Sequence, residues 1–230
     1  MKILAIDSTA HTSSVAILED DKLIALYTVN TDNTHSETLL PMVKSALVTA
    51  NVTADEIDVF AASNGPGSFT GVRIGAATIK GLAFGKDKKC VEVSTIEALS
   101  YNLDGFDGII CPIMNARRGQ VYTGIFKGKN RLMDDSCMLL SDLVPMLEEY
   151  GEKIYFTGDG YELIENMEIK NKCVTPEPLR YANAYSVGKL AYESINRGEY
   201  TTDTDFRVNY LRKPQAERER EERLKKEGSL

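Results

Sequence analysis

A glycine-rich stretch in the first third of the chain contains residue types that bind phosphate groups. Gly65, Gly67 and Gly71 surround Ser68, and an apolar pattern with helical spacing follows them. Glycine lets a backbone approach a ligand closely, and the amides at a helix N-terminus attract anions. The stretch lacks the Gly-Lys-Ser/Thr ending of a Walker loop. It predicts either a weak nucleotide site or a close contact between two backbones, and we favour the contact.

Two carboxylates that follow apolar runs raise the question of phosphoryl transfer. Asp7 and Ser8 follow the first run, and Asp159 comes directly after Gly158. Phosphoryl transfer needs carboxylates that hold Mg²⁺ and accept a proton, and Asp7 has that chemistry. The loop in the second half offers Asn115 instead, and a neutral amide cannot act as a general base. The residues leave weak nucleotide binding open and disfavour catalysis of phosphoryl transfer.

The chain offers no pattern for a metal site or a nucleophilic hydrolase. Two histidines one helical turn apart would share a helix face and hold a metal, but His35 is followed at i+4 by Leu39, and His11 lies far up the chain. The cysteines have irregular spacing with no CxxC pair, which predicts neither zinc nor disulfides. They are Cys90, Cys111, Cys137 and Cys173. No Gly-x-Ser-x-Gly nucleophile elbow is present.

Composition limits the classes of partner. The 230 residues carry a net charge of −7, which opposes direct binding of nucleic acid unless a local patch provides it. No apolar run approaches the roughly 20 residues that span a bilayer, and the N-terminus does not resemble a signal peptide. We expect a cytoplasmic protein without membrane contact. The charged run from 215 to 230 reads as a solvated tail.

The periodicity of apolar residues predicts the same order of elements twice. The first half reads as strands at 2–7, 13–19 and 23–29, a helix to 50, a strand at 57–63 and a helix to about 84. The second half reads as strands at 109–114, 120–126 and 131–139, a helix at 141–150 and a strand at 153–157. The segments 38–43 and 142–147 are also similar in sequence. The chain is therefore predicted to be a duplicated βββαβα unit of the α/β class.

Three segments carry a resemblance to a known family. The plan resembles the ASKHA superfamily of sugar kinases, Hsp70 ATPases and actin, in which Ala5-Ile6-Asp7-Ser8-Thr9 corresponds to the first phosphate loop. The segments 65–75, GPGSFTGVRIG, and 115–122, NARRGQVY, resemble signatures of the TsaB family. His35-Ser36-Glu37 and Tyr210-Leu211-Arg212 are also similar to that family. The similarity extends over essentially the whole chain.

The resemblance implies two lobes and a supporting role. Residues 1–103 would form the N-terminal lobe and residues 104–214 the C-terminal lobe. The chain would bind and activate TsaD, the catalytic paralogue that transfers threonylcarbamoyl to N6 of adenosine 37 in tRNA. The ATPase TsaE would join that pair, and contact with tRNA would be indirect. No cofactor of its own is expected, since ATP and a metal would be used by partner subunits.

The resemblance also implies a partner surface on the first two long helices, which would pair with a second copy when the chain is alone. Its expected residues are His35, Leu39, Leu40, Met42, Val43, Ala46, Leu47, Gly71, Val72, Gly75 and Ile79. The alternative function is an ASKHA-type small-molecule kinase or ATPase. Its candidate nucleotide residues are Asp7, Ser8, Gly65, Gly67, Ser68, Asn115, Gly158 and Asp159.

Overall fold

A computed structural model describes residues 1–212 of the chain, so the predicted tail at 215–230 lies outside the described residues. The strands are β1 Lys2–Asp7, β2 Ser13–Glu19, β3 Lys22–Val29, β4 Val59–Gly65, β5 Lys89–Ser94, β6 Ile109–Asn115, β7 Gln120–Lys127, β8 Asn130–Leu139, β9 Ile154–Thr157 and β10 Lys172–Cys173. The α-helices are α1 His35–Ala50, α2 Phe69–Ala83, α3 Thr95–Tyr101, α4 Leu140–Glu148, α5 Tyr161–Ile164 and α6 Ala184–Asn196.

The first lobe is built on a five-stranded sheet in the order β3-β2-β1-β4-β5. Strand β1 pairs antiparallel with β2 and parallel with β4. Because successive side chains of a strand point to opposite faces, the apolar strands supply two cores. Helices α1 and α2 cover one face through residues such as Leu39 and Ile79, and α6 covers the other through Val187.

The second lobe repeats this arrangement with the order β10-β9-β6-β7-β8. Strand β6 pairs antiparallel with β7 and parallel with β9, as β1 does with β2 and β4. Helices α4 and α5 cover one face of this sheet, and α3 lies against the other. The duplicated βββαβα plan of the ASKHA fold, with two lobes, is thereby confirmed.

The N-terminus of α1 shows how local sequence begins a helix. The Glu37 carboxylate accepts hydrogen bonds from the backbone N and the Oγ1 of Thr34, as expected for the Thr34–Glu37 capping box. The helix therefore begins at His35, and Pro41 lies inside it. Proline has no N–H to donate, so the helix forgoes the bond from residue 41 to the Glu37 carbonyl.

The last described segment returns to the first lobe. Helix α6 packs against the first sheet, Thr201 pairs with Cys90 of β5, and the amide of Asn209 donates to the Asn64 carbonyl. Residues 184–212 thus pack on the N-terminal lobe, although they fall in the range predicted for the C-terminal lobe. The sequence does not show this return, since α6 has the amphipathic pattern of any surface helix.

Within residues 1–212, the helices are all too short or too polar to cross a bilayer.

Candidate functional site

A cleft of about 740 Å³ lies where the two lobes meet. One wall is the start of α2 with the turns after β1 and β3, and the other is the turn between β6 and β7. The segment 209–212 adds to its rim. Of the residues predicted for nucleotide binding, the cleft is lined by Gly67, Ser68, Asn115 and Asp159. The other four, Asp7, Ser8, Gly65 and Gly158, do not line it.

Asp7 is sealed beneath the cleft. It is 1% exposed, and its carboxylate accepts hydrogen bonds from the Ser63 hydroxyl and from both the amide and the hydroxyl of Thr9. Burial raises the pKa of this carboxyl, and those hydrogen bonds oppose the shift. A carboxylate held in this way does not reach a substrate in the cleft, so the arrangement does not fit a magnesium ligand or a general base.

The glycines of the loop that leads into α2 allow two backbone segments to approach closely. A Cβ on Gly71 would lie 2.0 Å from the Ser8 carbonyl oxygen, and one on Gly67 would lie 2.5 Å from that of Thr9. The Ser8 hydroxyl donates to the Gly71 carbonyl, and the Ser68 amide donates to the Thr9 carbonyl. The glycines therefore let the loop after β1 and the start of α2 pack closely against each other, and both backbones belong to the same chain.

The second-lobe wall is organised by Asn115 and Asp159. The backbone N–H of Asn115 donates to Asp159 Oδ1 at 3.1 Å. The side-chain oxygen of Asn115 accepts from the backbone N–H of Arg117 at 2.8 Å. Desolvation by the cleft walls raises the pKa of the Asp159 carboxyl, although its side chain still meets solvent. The sequence prediction placed these two residues in one site but did not assign Arg117, which also lines the cleft.

His35 lies at the base of the cleft with both ring nitrogens occupied. Nε2 is 2.9 Å from the carbonyl oxygen of Ala10, which can only accept, and Nδ1 is 2.6 Å from the Ser13 hydroxyl. Among residues 1–212, no three side chains of the metal-ligating types come together. His35 therefore has a positioning role between α1 and the turn after β1.

Burial also raises the pKa of two thiols. It raises the pKa of Cys90 to about 11 and that of Cys111 to about 12. Since the thiolate is the nucleophile, neither group is activated near neutral pH. Within residues 1–212, no two cysteines are joined by a disulfide.

The C-terminal segment joins the two lobes across the cleft. The Arg212 guanidinium donates to the Ala116 carbonyl at 2.7 Å, and the Tyr210 hydroxyl accepts from Arg73 Nε at 2.7 Å. The Arg73 guanidinium also stacks on Phe69, 3.7 Å from the ring centroid. Within the sequence, only the resemblance of Tyr210-Leu211-Arg212 pointed to this segment.

Most residues expected at a partner surface lie in the core of their own lobe. Leu40 is exposed, and His35 and Leu47 are half-buried. The other eight are buried under α1 and α2: Leu39, Met42, Val43, Ala46, Gly71, Val72, Gly75 and Ile79. Their apolar stripe faces the first sheet, which is what an amphipathic helix on a sheet requires. Periodicity detects such a stripe but does not show whether a second apolar face exists.

Other apolar side chains of these two helices are exposed to solvent. Leu40 is 56% exposed and Val48 is 72% exposed on α1, and Phe84 at the end of α2 is 75% exposed. Ala77 and Gly81 also face solvent on α2. We call these five residues the outer face. Large apolar side chains grouped on neighbouring helices are typical of surfaces that bind another protein.

Comparison with known proteins agrees with this architecture. The family model described as "TsaD: tRNA N6-adenosine threonylcarbamoyltransferase" matches residues 29–217. A solved structure from Pseudomonas aeruginosa, described as an uncharacterized protein with similarity to peptidase YEAZ, has a TM-score of 0.80 at 24% identity. It covers 92% of this chain and 99% of that chain, and it shows the fold.

Two curated relatives define the family more closely. The tRNA threonylcarbamoyladenosine biosynthesis protein TsaB of Bacillus subtilis (strain 168) is 39% identical over 171 residues, which cover 73% of this chain and 75% of that protein. The TsaB protein of Escherichia coli (strain K12) is 36% identical over 125 residues, 53% of each chain. With this identity over most of the Bacillus protein, the chain belongs to the TsaB family.

Proposed function

We propose that this chain supports the transfer of threonylcarbamoyl to N6 of adenosine 37 in tRNA by binding and activating a TsaD-type catalytic paralogue. Membership of the TsaB family supports involvement in tRNA threonylcarbamoyladenosine biosynthesis. That this chain acts as a binding subunit is a more specific proposal, and it rests on the surface and the cleft of this chain.

The observation that carries the proposal is the outer face. Leu40, Val48 and Phe84 expose apolar side chains on helices that already bury another apolar stripe against their own sheet. A partner with two equivalent helices would cover this face in a four-helix arrangement. The same face on a second copy would give a two-fold homodimer when the chain is pure.

The state of the cleft supports a role without catalysis. A transferase or kinase needs a group that reaches the reacting atoms. In this chain Asp7 is sealed by Ser63 and Thr9, and both nitrogens of His35 are occupied. We therefore propose that ATP and metal are handled by partner subunits, including a TsaE-type ATPase.

A reconstituted reaction tests the proposal. TsaD, TsaE, ATP, the threonylcarbamoyl donor and unmodified tRNA are mixed with and without this chain, and modified adenosine is counted by mass spectrometry. We expect product that depends on this chain and none when TsaD is omitted. Full product without this chain would contradict the supporting role.

The interlobe cleft is the observation behind the alternative function, an ASKHA-type small-molecule kinase or ATPase. The test is ATP turnover by the purified chain with Mg²⁺. We expect none above the background measured without protein. Leu40→Glu is the control variant, since it leaves the cleft unchanged. Turnover that is lost in Asp7→Asn but kept in the control would favour the kinase alternative.

A further inference from the structure

The turn between β6 and β7 has an unusual combination of backbone and side chains. Arg117, Arg118 and Gly119 have φ values of 64°, 55° and 72°, so three successive residues are left-handed. The Gln120 amide donates to the Arg117 carbonyl at 3.2 Å, which puts Arg118 and Gly119 at the centre of a four-residue turn. Positive φ at both central positions is the hairpin geometry that favours Asn-Gly. Two arginines here oppose the local conformational preference.

The two arginine side chains have no hydrogen-bond or ion-pair partner among residues 1–212, in contrast to the other arginines of that range. Arg131, Arg197 and Arg207 are paired with carboxylates. Arg73, Arg180 and Arg212 donate to oxygen atoms of Tyr210, Thr175 and Ala116. Within residues 1–212, Arg117 and Arg118 alone among arginines have exposed guanidinium groups without an acceptor or an aromatic ring.

The surroundings of the turn favour an anion. Arg212 donates to the Ala116 carbonyl at 2.7 Å, which brings a third guanidinium to the same turn. Arg117 faces the cleft, opposite the N-terminus of α2. The amides of Arg118 and Gly119 also have no acceptor within the described part of the chain. Successive free amides in a turn add partial positive charge to that of the arginines.

We propose that Arg117 and Arg118 contact backbone phosphates of tRNA when this chain is bound to its catalytic paralogue. The inference rests on the proposed function, in which tRNA is the substrate of the complex. Guanidinium groups bind phosphate in a bidentate manner, and a local cationic turn lets a chain with a net charge of −7 approach RNA. The proposed contact between this turn and tRNA is direct, whereas the resemblance implied only indirect contact.

A protein carboxylate is the competing acceptor, and the position of the turn weighs against it. The turn belongs to the second lobe, whereas the outer face that we assign to the partner lies on α1 and α2 of the first lobe. Arg117 and Arg118 therefore remain accessible when the outer face is covered. The tRNA substrate of the complex is a polyanion, and it fits a turn that the partner does not cover.

The double substitution Arg117→Asn/Arg118→Asn tests the inference without threatening the fold. Asparagine tolerates the left-handed region better than arginine, so the turn is expected to form at least as readily. Lys153→Asn/Lys170→Asn is the matched control, since it removes the same charge from exposed sites of the second lobe. The rescue variant Arg117→Lys/Arg118→Lys keeps both charges.

The measurement is tRNA affinity of the purified heterodimer at several salt concentrations. We expect the asparagine variant to bind roughly tenfold more weakly than the wild type, and the slope of log affinity against log salt to fall by about 1.5. The lysine variant should recover most of the affinity and slope. The control should behave like the wild type.

Other outcomes overturn the inference in distinguishable ways. An intact heterodimer whose tRNA affinity and salt slope are unchanged in the asparagine variant contradicts the phosphate contacts alone. If the asparagine variant forms less heterodimer, and the heterodimer that does form binds tRNA like the wild type, the arginines are assigned to a protein carboxylate. ATP binding by the chain alone that disappears in the variant assigns them to a nucleotide. If the wild-type chain forms no heterodimer, the proposed function fails and this inference fails with it.

Discussion

At the scale of the residue, buried polar groups in this chain serve structure before chemistry. Asp7 follows β1 at the place where the ASKHA resemblance puts a phosphate loop, yet its oxygens are engaged by Ser63 and Thr9. The Ser8 hydroxyl likewise donates to Gly71. The residue types that the resemblance assigns to a phosphate loop are present here, but their hydrogen bonds close the loop on itself.

Replacing Asp7 with Asn is expected to change how stability depends on pH. Burial raises the folded-state pKa of Asp7 above its usual 3.8, so the protonated form stabilises the fold below that value. This contribution is lost as pH rises through the folded-state pKa. The free energy of unfolding of the wild type relative to Asp7→Asn should therefore fall as the pH rises above 3.8. Urea unfolding of both proteins checks this, and a constant difference would contradict it.

Two glycines of α2 make a matched pair. A Cβ on Gly71 meets the Ser8 carbonyl at 2.0 Å, whereas a Cβ on Gly81 meets nothing within 4 Å. We expect Gly71→Ala to destabilise the protein by about 1–3 kcal/mol because the backbone must move. Gly81→Ala should stabilise it by roughly 0.5–1 kcal/mol through helix propensity. Thermal or urea unfolding distinguishes the two, and equal effects would contradict the packing argument.

At the scale of the element, strands and long helices follow from sequence periodicity, but burial of helix faces does not. The predicted strand at 120–126 agrees with β7 to one residue, and the predicted helix end at 50 agrees with the end of α1. Helix α4 begins at Leu140, one residue before the predicted cap at Ser141. Leu40 was predicted at the partner surface, but the exposed Val48 and Phe84 were missed because the inner stripe alone accounts for the pattern.

Charges placed on the outer face are expected to break association without unfolding the chain. Leu40→Glu and Val48→Glu alter side chains that are 56% and 72% exposed. Each should weaken heterodimer and homodimer affinity by roughly tenfold or more, in the range of interface hot spots. Val174→Glu is the control, since Val174 is 78% exposed on the second lobe. Sedimentation and calorimetry provide the affinities, and unchanged values for folded variants would refute this docking face.

At the scale of the whole molecule, the two lobes are not successive pieces of chain. Helix α6 follows the second sheet in sequence but buries Ala184, Val187 and Ala191 against the first. The segment after it carries Phe206 into the core under α1 and α2. The apolar spacing of residues 184–197 predicts a helix there, and α6 agrees with it to within a residue. Its destination depends on a long-range contact that no local pattern encodes.

A truncation after residue 181 is expected to unfold the first lobe, even though residues 1–101, which include all five strands of its sheet, remain. Without α6, one face of the sheet loses its cover, and Ile3, Ala5 and Leu18 meet water. The truncated chain should lack a cooperative urea transition monitored by near-ultraviolet dichroism. The full chain is the control and should show one cooperative transition. A cooperative transition in the shorter form would contradict this dependence.

The return of α6 also sets an order of events during synthesis. The ribosome releases β1 early, but the layer that completes its sheet is translated about 180 residues later. A nascent chain must therefore keep a half-covered sheet from aggregating until the second lobe has passed through the exit tunnel. An mRNA cut short before α6 would yield a product suited to degradation rather than a free lobe. For this fold, the first sheet is completed only when nearly the whole described chain has been translated.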